Sequence, residues 1–324
     1  MNPSRMWLVS PVYLDVESYL RVREHVLDVA AGHDQLRAIP IEFVVVDDTA
    51  GSDPDIDALR KLSDVTVIEP PFNLGHQRAI VYGLRVIATR VSDSDLVVTL
   101  DGDGEDRPED LPRLLQPLLA NTDDLTTIVL ARRTRRRTTL TFKVMYFFFA
   151  LLFRILTGTW VRTGNYGAYR GWQARRMLLH PSFDLSYSAT LLSLHLRVEL
   201  VPCERGPRYA GRSRMGYSRL FMHGLRMLMP FLDRIAMRVL TLFSLTLGLA
   251  LALSAVIIGV RLFTEAAVPA WATYALIGTA AFSLVTLGSF VTVFAVFSQS
   301  RAISLSNIDQ PGNGRSRGSP PRSD

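Results

Sequence analysis

Short apolar runs alternate with amphipathic stretches along the first hundred residues of the chain. The runs predicted as strands cover 6–12, 41–47, 65–68 and 96–100, and helical patterns fall near 17–31, 54–62 and 76–90. Such alternation predicts an α/β fold with a mainly parallel sheet covered by helices. In these folds ligands bind beyond the carboxyl ends of the strands. We therefore expect one cleft there, while the absence of GxGxxG after the first strand argues against a dinucleotide site.

Two longer apolar stretches lie near the C-terminus. Residues 239–260 and 271–297 carry no charged side chain, and each is long enough for the about 20 residues that a bilayer-spanning helix needs. A buried core helix is the alternative, but apolar stretches of this length without a polar face argue against it. We predict two transmembrane helices within 237–300.

Arginines flank these stretches. Arg226, Arg234 and Arg238 precede the first span, and a basic tail at 301–324 follows the second. The positive-inside rule then places both ends in the cytoplasm. The first ten residues do not have a signal peptide pattern, so we expect an integral membrane protein, of the bacterial inner or plasma membrane, whose large N-terminal domain and C-terminal tail are cytoplasmic.

The chain divides into four predicted regions. A helix at about 142–156 is apolar but carries Lys143 and Arg154, which favours an interfacial helix over a span or a core helix. The regions are a cytoplasmic α/β domain at 1–217 that includes this helix, a juxtamembrane amphipathic segment at 218–236, the two spans at 237–300, and a disordered tail at 301–324.

The charge and its distribution limit the classes of molecule that the chain is expected to bind. The net charge is +6, yet the arginines cluster at 132–137, at 205–219 and beside the spans, where they suit anionic headgroups or phosphorylated substrates. We expect no nucleic-acid partner, because no recognition motif accompanies the charge. A single cysteine, Cys203, excludes an internal disulfide.

Two carboxylates, Asp101 and Asp103, directly follow the run at 96–100. Residues two apart beyond a strand can converge on one cation, and carboxylate oxygens suit Mg²⁺ or Mn²⁺, which share their remaining positions with substrate phosphates. The alternative is an acidic loop that caps a helix starting near Pro108. The rest of the chain favours the metal site.

Four segments together resemble motifs of the family 2 glycosyltransferases with the GT-A fold. They are VVDDTAGSD at 45–53, NLGHQRA at 73–79, LDGDGEDRPED at 100–110 and RYAGRSR at 208–214. With two C-terminal spans, residues 6–300 resemble the polyisoprenyl-phosphate branch, which is related to dolichol-phosphate mannose synthases and bacterial undecaprenyl-phosphate glucosyltransferases. The resemblance implies a GT-A, Rossmann-like catalytic domain, a nucleotide-sugar donor, a polyprenyl-phosphate acceptor, inversion at the anomeric carbon, and a homo-oligomer assembled through the spans.

The resemblance also implies roles on the donor side. Pro11 and Tyr13 would border the nucleotide, and Asp47 or Asp48 would hydrogen-bond the base or ribose, although both could instead form a turn with an Asx cap. Asp101 and Asp103, on either side of Gly102, match the metal-binding pair.

The segment at 73–79 matches the start of the helix beneath the nucleotide. Asn73, His76 and Gln77 would offer polar groups to the donor there, whereas the plain alternative has Asn73 capping the helix and His76 in its first turn.

Arginines match two further motifs. Arg132 and Arg135 would lie near the acceptor phosphate, while we assign Arg133, Arg136 and Arg137 to lipid headgroups or to a solvated basic face. The loop with Arg208, Gly211, Ser213 and Arg214 would close over the diphosphate, and Arg214 replaces the usual lysine.

Two positions depart from the family pattern. Asn165 stands where an acid is usual, and Leu14 replaces an asparagine after Tyr13. An amide cannot act as a general base, so Asn165 disfavours a hydroxyl acceptor and favours a phosphate, which is largely deprotonated already. Two rivals stay open: a family 2 enzyme with a hydroxyl acceptor (polysaccharide or membrane lipid), and a non-catalytic membrane scaffold with a degraded nucleotide-sugar site.

Overall fold

The computed structural model of the chain describes residues 3–133, 140–161, 163–194, 196–210, 217–265 and 270–300. The strands within these residues are β1 (Met6–Val12), β2 (Ile41–Asp47), β3 (Val65–Ile68), β4 (Leu96–Thr99), β5 (Ile128–Arg133), β6 (Thr163–Arg170) and β7 (Val198–Cys203). The helices are α1 (Val16–Ala31), α2 (Asp57–Arg60), α3 (His76–Ile87), α4 (Leu111–Ala120), α5 (Leu140–Thr157), α6 (Gly171–Met177), α7 (Tyr187–Ser193), α8 (Tyr217–Leu228), α9 (Leu232–Phe263) and α10 (Ala270–Ser300). The strands and helices expected in the first hundred residues are confirmed, although α2 is shorter than the helical pattern around it.

The strands form one sheet in the order β3-β2-β1-β4-β6-β5-β7. β6 runs antiparallel to β4 and β5, and the other pairs are parallel, which confirms the predicted mainly parallel α/β sheet. The chain passes from β1 outward to β2 and β3 and returns to place β4 on the other side of β1. The strand order therefore reverses between β1 and β4, and ligands of such sheets bind beyond the carboxyl ends at this point.

Helices cover both faces of the sheet, as continuous apolar strands require. Leu8 of β1 belongs to an apolar cluster with α1 and α4, whereas its neighbours Trp7 and Val9 belong to a second cluster with α3, α6 and α7. Gly83 lets α3 lie close to the strands, because a Cβ there would come within 2.6 Å of a methyl group of Val46. This packing fixes the first turn of α3 beside the switch point.

Large apolar side chains stay exposed on the helices beyond β5. Phe147 and Phe148 of α5 are 60% and 62% exposed. Two segments, Phe221–Phe263 and Ala272–Val296, are long and apolar enough to cross a membrane. The first contains the expected stretch 239–260, and the second covers 271–297 except for one residue at each end. In their most apolar windows 6% and 11% of the residues are buried, which is unlike the core helix of a soluble domain.

An apolar cluster joins these helices to the sheet domain. It contains Phe153 of α5, Ala189 of α7, Met227 of α8, Phe231 directly before α9, and Ile235 in the first turn of α9. We call α5, α8 and the first turns of α9 the helical platform. The platform and α7 therefore pack as one unit beside the sheet. The predicted tail at 301–324 lies outside the described residues.

Candidate active site

The loop after β4 is pressed against the end of β1. Gly102 makes this approach possible, because a Cβ at this residue would lie 3.2 Å from the carbonyl oxygen of Pro11 and 3.2 Å from a methyl group of Val12. Asp101 and Asp103 flank this glycine. Both carboxylates therefore stand where the strand order reverses, at the edge predicted from the sequence.

Asp101 contacts residues from several separate parts of the chain. Its Oδ1 lies 2.9 Å from Nε2 of His76 and accepts a hydrogen bond of 3.2 Å from Nδ2 of Asn165. Its backbone N–H donates to Oδ2 of Asp106 at 3.2 Å. The structure thus brings together Asp101, His76 and Asn165, which lie in three separate sequence motifs.

Asp103 faces the loop that follows β7. Its Oδ2 accepts a hydrogen bond of 2.5 Å from Nη2 of Arg208, and its Oδ1 accepts the backbone N–H of Glu105 at 2.9 Å. Nη1 of Arg208 also donates to Asp15 at 3.4 Å. Arg208 is therefore close to Asp103, and its role at the diphosphate stays a prediction.

The assignment of Arg133 to lipid headgroups is wrong. Its Nη2 lies 3.6 Å from Oδ1 of Asp106 and 4.0 Å from Oδ2 of Asp101, and its side chain is 17% exposed. Side chains alternate across a strand, so neighbouring arginines of β5 point to opposite faces. The pairing of β5 with β6 is irregular between Leu130 and Arg132, and this irregularity determines which of the two arginines, Arg132 or Arg133, faces Asp101 and Asp106.

The cluster of acids shifts several pKa values. Burial raises the pKa of Asp106 to about 7, and the charge of Asp101 adds to the rise while Arg133 opposes it. Burial and then Asp101 also raise the pKa of Asp103. Burial opposes the charge of Asp101 itself, but His76 and Arg133 outweigh it and hold its pKa well below the ordinary value. Burial likewise works against the charge of His76, yet Asp101 raises its pKa overall. Asp101 is thus the ionised centre of the cluster.

The turn after β2 joins two of the predicted motifs. Asp47 accepts hydrogen bonds from Thr49 N at 3.1 Å and Thr49 Oγ1 at 2.6 Å, so it forms the Asx turn that was its alternative role. Oδ1 of Asp48 accepts the backbone N–H of Leu74 at 2.7 Å, and Asn73 Nδ2 donates to the carbonyl of Asp48 at 2.7 Å. Burial raises the pKa of Asp48 despite the backbone N–H groups that face it.

The other residues predicted for the site lie partly around this cluster and partly outside the described residues. Asn73 does not cap α3, because the N-cap residue is Gly75. Gln77 donates to Asn165 and accepts from Ser188, so its amide is engaged within the protein. Pro11 is buried in β1, Tyr13 is exposed just beyond it, and Arg132 is half-buried. The remaining residues predicted for the site, Arg135, Gly211, Ser213 and Arg214, lie outside the described residues, as do Arg136 and Arg137.

The site also contains a residue that sequence reasoning missed. Asp106 is 5% exposed and completes the acidic cluster, but the sequence assigned it no role. Its place within the acidic segment at 100–110 was the available signal. No spacing rule relates it to Asp101, because the chain turns at Gly104, whose φ is +82°.

The donor atoms at this edge fit a hard cation. No group of three or more His, Cys, Asp or Glu side chains stands ready for a metal ion among the described residues. Magnesium, however, is commonly held by one or two carboxylates together with water and substrate phosphates. Asp101 and Asp103 supply two. Burial is the main reason that the pKa of Asp103 is raised, and a cation would relieve the second reason, the repulsion from Asp101. Metal dependence stays a prediction.

Residues 16–171, somewhat less than half of the chain, match the family model described as Glycosyl transferase family 2. The match runs from the start of α1 to the first residue of α6 and includes Asp101, Asp103 and Asn165. It confirms the resemblance to family 2 over these residues, and it does not distinguish the polyprenyl-phosphate branch.

Solved structures show weaker likeness. One is the crystal structure of 4-diphosphocytidyl-2C-methyl-D-erythritol synthase, 14% identical with a TM-score of 0.36, over 70% of this chain and 99% of that one. Another is S. aureus TarS 1-349, 12% identical with a TM-score of 0.38, over 73% of this chain and 65% of that one. These scores are low, and nothing further follows from them. No curated protein gives a significant match.

Proposed function

We propose that the chain is a membrane-anchored, metal-dependent glycosyltransferase that transfers a sugar from a nucleoside-diphosphate donor to a polyprenyl phosphate at the cytoplasmic membrane face. One observation carries the proposal. Asp101 and Asp103 stand together at the switch point of the sheet, and the guanidinium groups of Arg133 and Arg208 lie against the same acidic cluster. Carboxylates suit a divalent cation, and guanidinium groups suit phosphate.

The donor would bind between the ends of β1, β2 and β4. Asp101 and Asp103 would hold Mg²⁺ or Mn²⁺, which when bound neutralises charge on the departing nucleoside diphosphate. Arg208 contacts Asp103 and Asp15, and it could exchange these carboxylates for donor phosphates, because its planar fork engages phosphate through two donors. Asp48 lies at the end of β2, where it could hydrogen-bond the base or ribose.

The acceptor side of the site supports a phosphate. Asn165 lies against Asp101, and its amide cannot remove a proton from a hydroxyl group. A phosphate monoester has a second pKa of about 6, so its attacking oxygen is largely deprotonated at neutral pH. Transfer to it can rest on positioning and charge compensation, which Arg133 and Arg208 can supply.

The helical platform supports a lipid-borne acceptor. Phe147 and Phe148 expose apolar surface on α5, and the guanidinium of Arg154 lies 4.6 Å from the ring centroid of Trp160 near its end. Aromatic and cationic side chains beside apolar surface are typical of a membrane interface. α5 is also the next described helix after β5, the strand that carries Arg133. A polyprenyl chain in the bilayer could thus bring its phosphate to this side of the site.

A transfer assay tests the proposal. The purified full chain would be mixed with a panel of radiolabelled nucleotide sugars and with undecaprenyl or dolichyl phosphate, with and without Mg²⁺ or Mn²⁺. Support would be a labelled, lipid-extractable product that needs the divalent ion and is lost in Asp103→Asn. Absence of product with every donor, from protein shown to be folded, would overturn it.

A hydroxyl acceptor is the second candidate, and one contact favours it. Nε2 of His76 lies 2.9 Å from Asp101, and an imidazole oriented by a carboxylate can act as a general base. His76→Gln separates the two candidates. Transfer to a hydroxyl would fall at least about a hundredfold, the usual contribution of such a base, whereas transfer to a phosphate would fall much less.

A further inference from the structure

Asn165 is tied to the first two residues of α7 by two routes. The first route runs through its side chain. Oδ1 of Asn165 accepts a hydrogen bond of 2.5 Å from Nε2 of Gln77. Oε1 of Gln77 in turn accepts hydrogen bonds from the backbone N–H of Ser188 at 2.9 Å and from the Ser188 hydroxyl at 3.0 Å. The second route runs through its backbone. The carbonyl oxygen of Asn165 accepts a hydrogen bond of 2.5 Å from the Thr99 hydroxyl, and the Thr99 hydroxyl lies 3.0 Å from the Tyr187 hydroxyl.

The side-chain route has a fixed direction. A backbone N–H can only donate, so the group of Gln77 that faces Ser188 must be the carbonyl oxygen. Nε2 of Gln77 then points to Asn165 and needs an acceptor there, which is Oδ1. The NH₂ group of Asn165 is left to face Oδ1 of Asp101 at 3.2 Å and Nε2 of His76 at 2.7 Å. One backbone N–H thereby settles the orientation of two amides that could otherwise flip.

The anchor of this chain of hydrogen bonds is firmly packed. Tyr187 and Ala189, on either side of Ser188, are fully buried. Tyr187 packs in the cluster beneath the sheet, and Ala189 packs in the cluster of the helical platform. Ser188 is therefore held by two separate apolar clusters, and its N–H cannot turn away without disturbing both.

We propose that Gln77 is a positioning residue, which, anchored on Ser188, orients the amide of Asn165 so that its NH₂ group holds Oδ1 of Asp101. Asp101 then keeps one carboxylate arrangement, with Oδ1 held by the protein and Oδ2 turned towards Arg133 at 4.0 Å. This gives Asn165 a use that an acid at the same residue lacks. An aspartate would present oxygens to Asp101 and to Gln77, and its repulsion from Asp101 would break the arrangement.

The inference rests on the proposed function only where Asp101 is taken to bind a cation. Partners that orient a metal-binding side chain typically change metal affinity about 10- to 100-fold when they are replaced. The orientation of Asn165 is a property of the protein itself, so it can be measured without metal, donor or acceptor.

The variant Gln77→Glu tests the orientation with almost no change of shape. One carboxylate oxygen can still accept from Ser188, but the other now faces Oδ1 of Asn165, which has no hydrogen to offer it. We expect a lower unfolding temperature and a weaker affinity for Mn²⁺ alone, about 10- to 100-fold. Gln116→Glu, on the exposed face of α4, is the matched control and should change neither.

A double-mutant cycle with Asn165→Ala completes the test. If Gln77 acts through Asn165, then Gln77→Glu will lower the unfolding temperature, measured without metal, much less in the Asn165→Ala background than in the wild-type background. Equal losses in both backgrounds would overturn the inference, as would unchanged Mn²⁺ affinity in Gln77→Glu when the wild type binds Mn²⁺. A wild type that binds no Mn²⁺ would count against the proposed function, and the cycle would still decide the role of Gln77.

Discussion

Nη2 of Arg133 lies 3.6 Å from Oδ1 of Asp106, and both side chains are largely removed from solvent. The same guanidinium lies 4.0 Å from Asp101, so one cation faces two carboxylates at the end of the sheet. Within the described acidic cluster the Arg133 guanidinium opposes the rise in the pKa of Asp106, which comes first from burial and then from the charge of Asp101. The contact links the end of β5 to the loop after β4. It therefore joins the strand that precedes the helical platform to the loop where the donor is proposed to bind.

Replacing Arg133 should therefore affect stability as well as activity. Arg133→Gln leaves two partly desolvated carboxylates facing each other, which we expect to cost about 1–3 kcal/mol of unfolding free energy. Arg132→Gln, at the neighbouring residue of β5, is the control and should cost less. Chemical denaturation of both variants measures the difference. Equal losses of unfolding free energy would show that the contact of Arg133 with Asp106 and Asp101 does not stabilise the fold.

Asp106 should make the stability depend on pH. Its pKa rises from 3.8 to about 7 in the folded chain, so the protonated carboxyl stabilises the fold. This contribution is complete below the ordinary pKa and is lost as the pH rises through about 7. Asp106→Asn should remove it, so the variant should lose less stability than the wild type over that range. Unfolding temperatures measured across the range check this, and parallel curves for the two proteins would contradict it.

The turn at Gly104 should be more sensitive to substitution than the turn at Gly75. Both have positive φ, +82° and +78°, a backbone region that L side chains rarely adopt and that costs an alanine about 1–3 kcal/mol. At Gly104 a Cβ would also lie 2.7 Å from the ring of Tyr209, whereas at Gly75 nothing lies within 4 Å. We expect Gly104→Ala to lower the unfolding free energy more than Gly75→Ala. A similar loss in both variants would mean that the Tyr209 ring moves aside freely.

The exposed phenylalanines of α5 should matter only when the acceptor sits in a bilayer. Phe147→Ser combined with Phe148→Ser removes apolar surface that would lie in the membrane interface. Transfer to a long-chain polyprenyl phosphate in vesicles should fall severalfold, whereas transfer to a short-chain, detergent-dispersed analogue should change little. Val86→Ser on α3 is the control for an exposed apolar residue elsewhere. An equal loss with both acceptors would show that α5 acts within the domain and not at the membrane.

The sequence predicts the first part of the fold well because its signal is local. Strands β1 to β4 are short apolar runs between helical patterns, and β1, β2 and β4 are apolar because they are buried on both faces of the sheet. β6 lacks this signal, since it begins Thr163, Gly164, Asn165 and runs antiparallel between two other strands. Its place depends on pairing with residues far away along the chain, which no local pattern shows.

The site divides in the same way. Asp101 and Asp103 are predicted because they directly follow a strand, and the end of that strand determines their position in the fold. The direction of Arg133 is not predictable from a run of arginines, because an irregularity in β5 decides which face each side chain takes. The contact between Gln77 and Ser188 joins residues 111 apart, so it has no sequence signal at all.

The choice between acceptors tests the account most directly. With an active nucleotide-sugar donor and Mg²⁺ or Mn²⁺ present, polyprenyl phosphate and the polyprenol of the same chain length would be offered separately to the full chain in vesicles. The account predicts labelled lipid from the phosphate alone, with product lost on chelation of the metal and in Asp103→Asn. Equal product from polyprenol, or product from the phosphate that survives both changes, would contradict it.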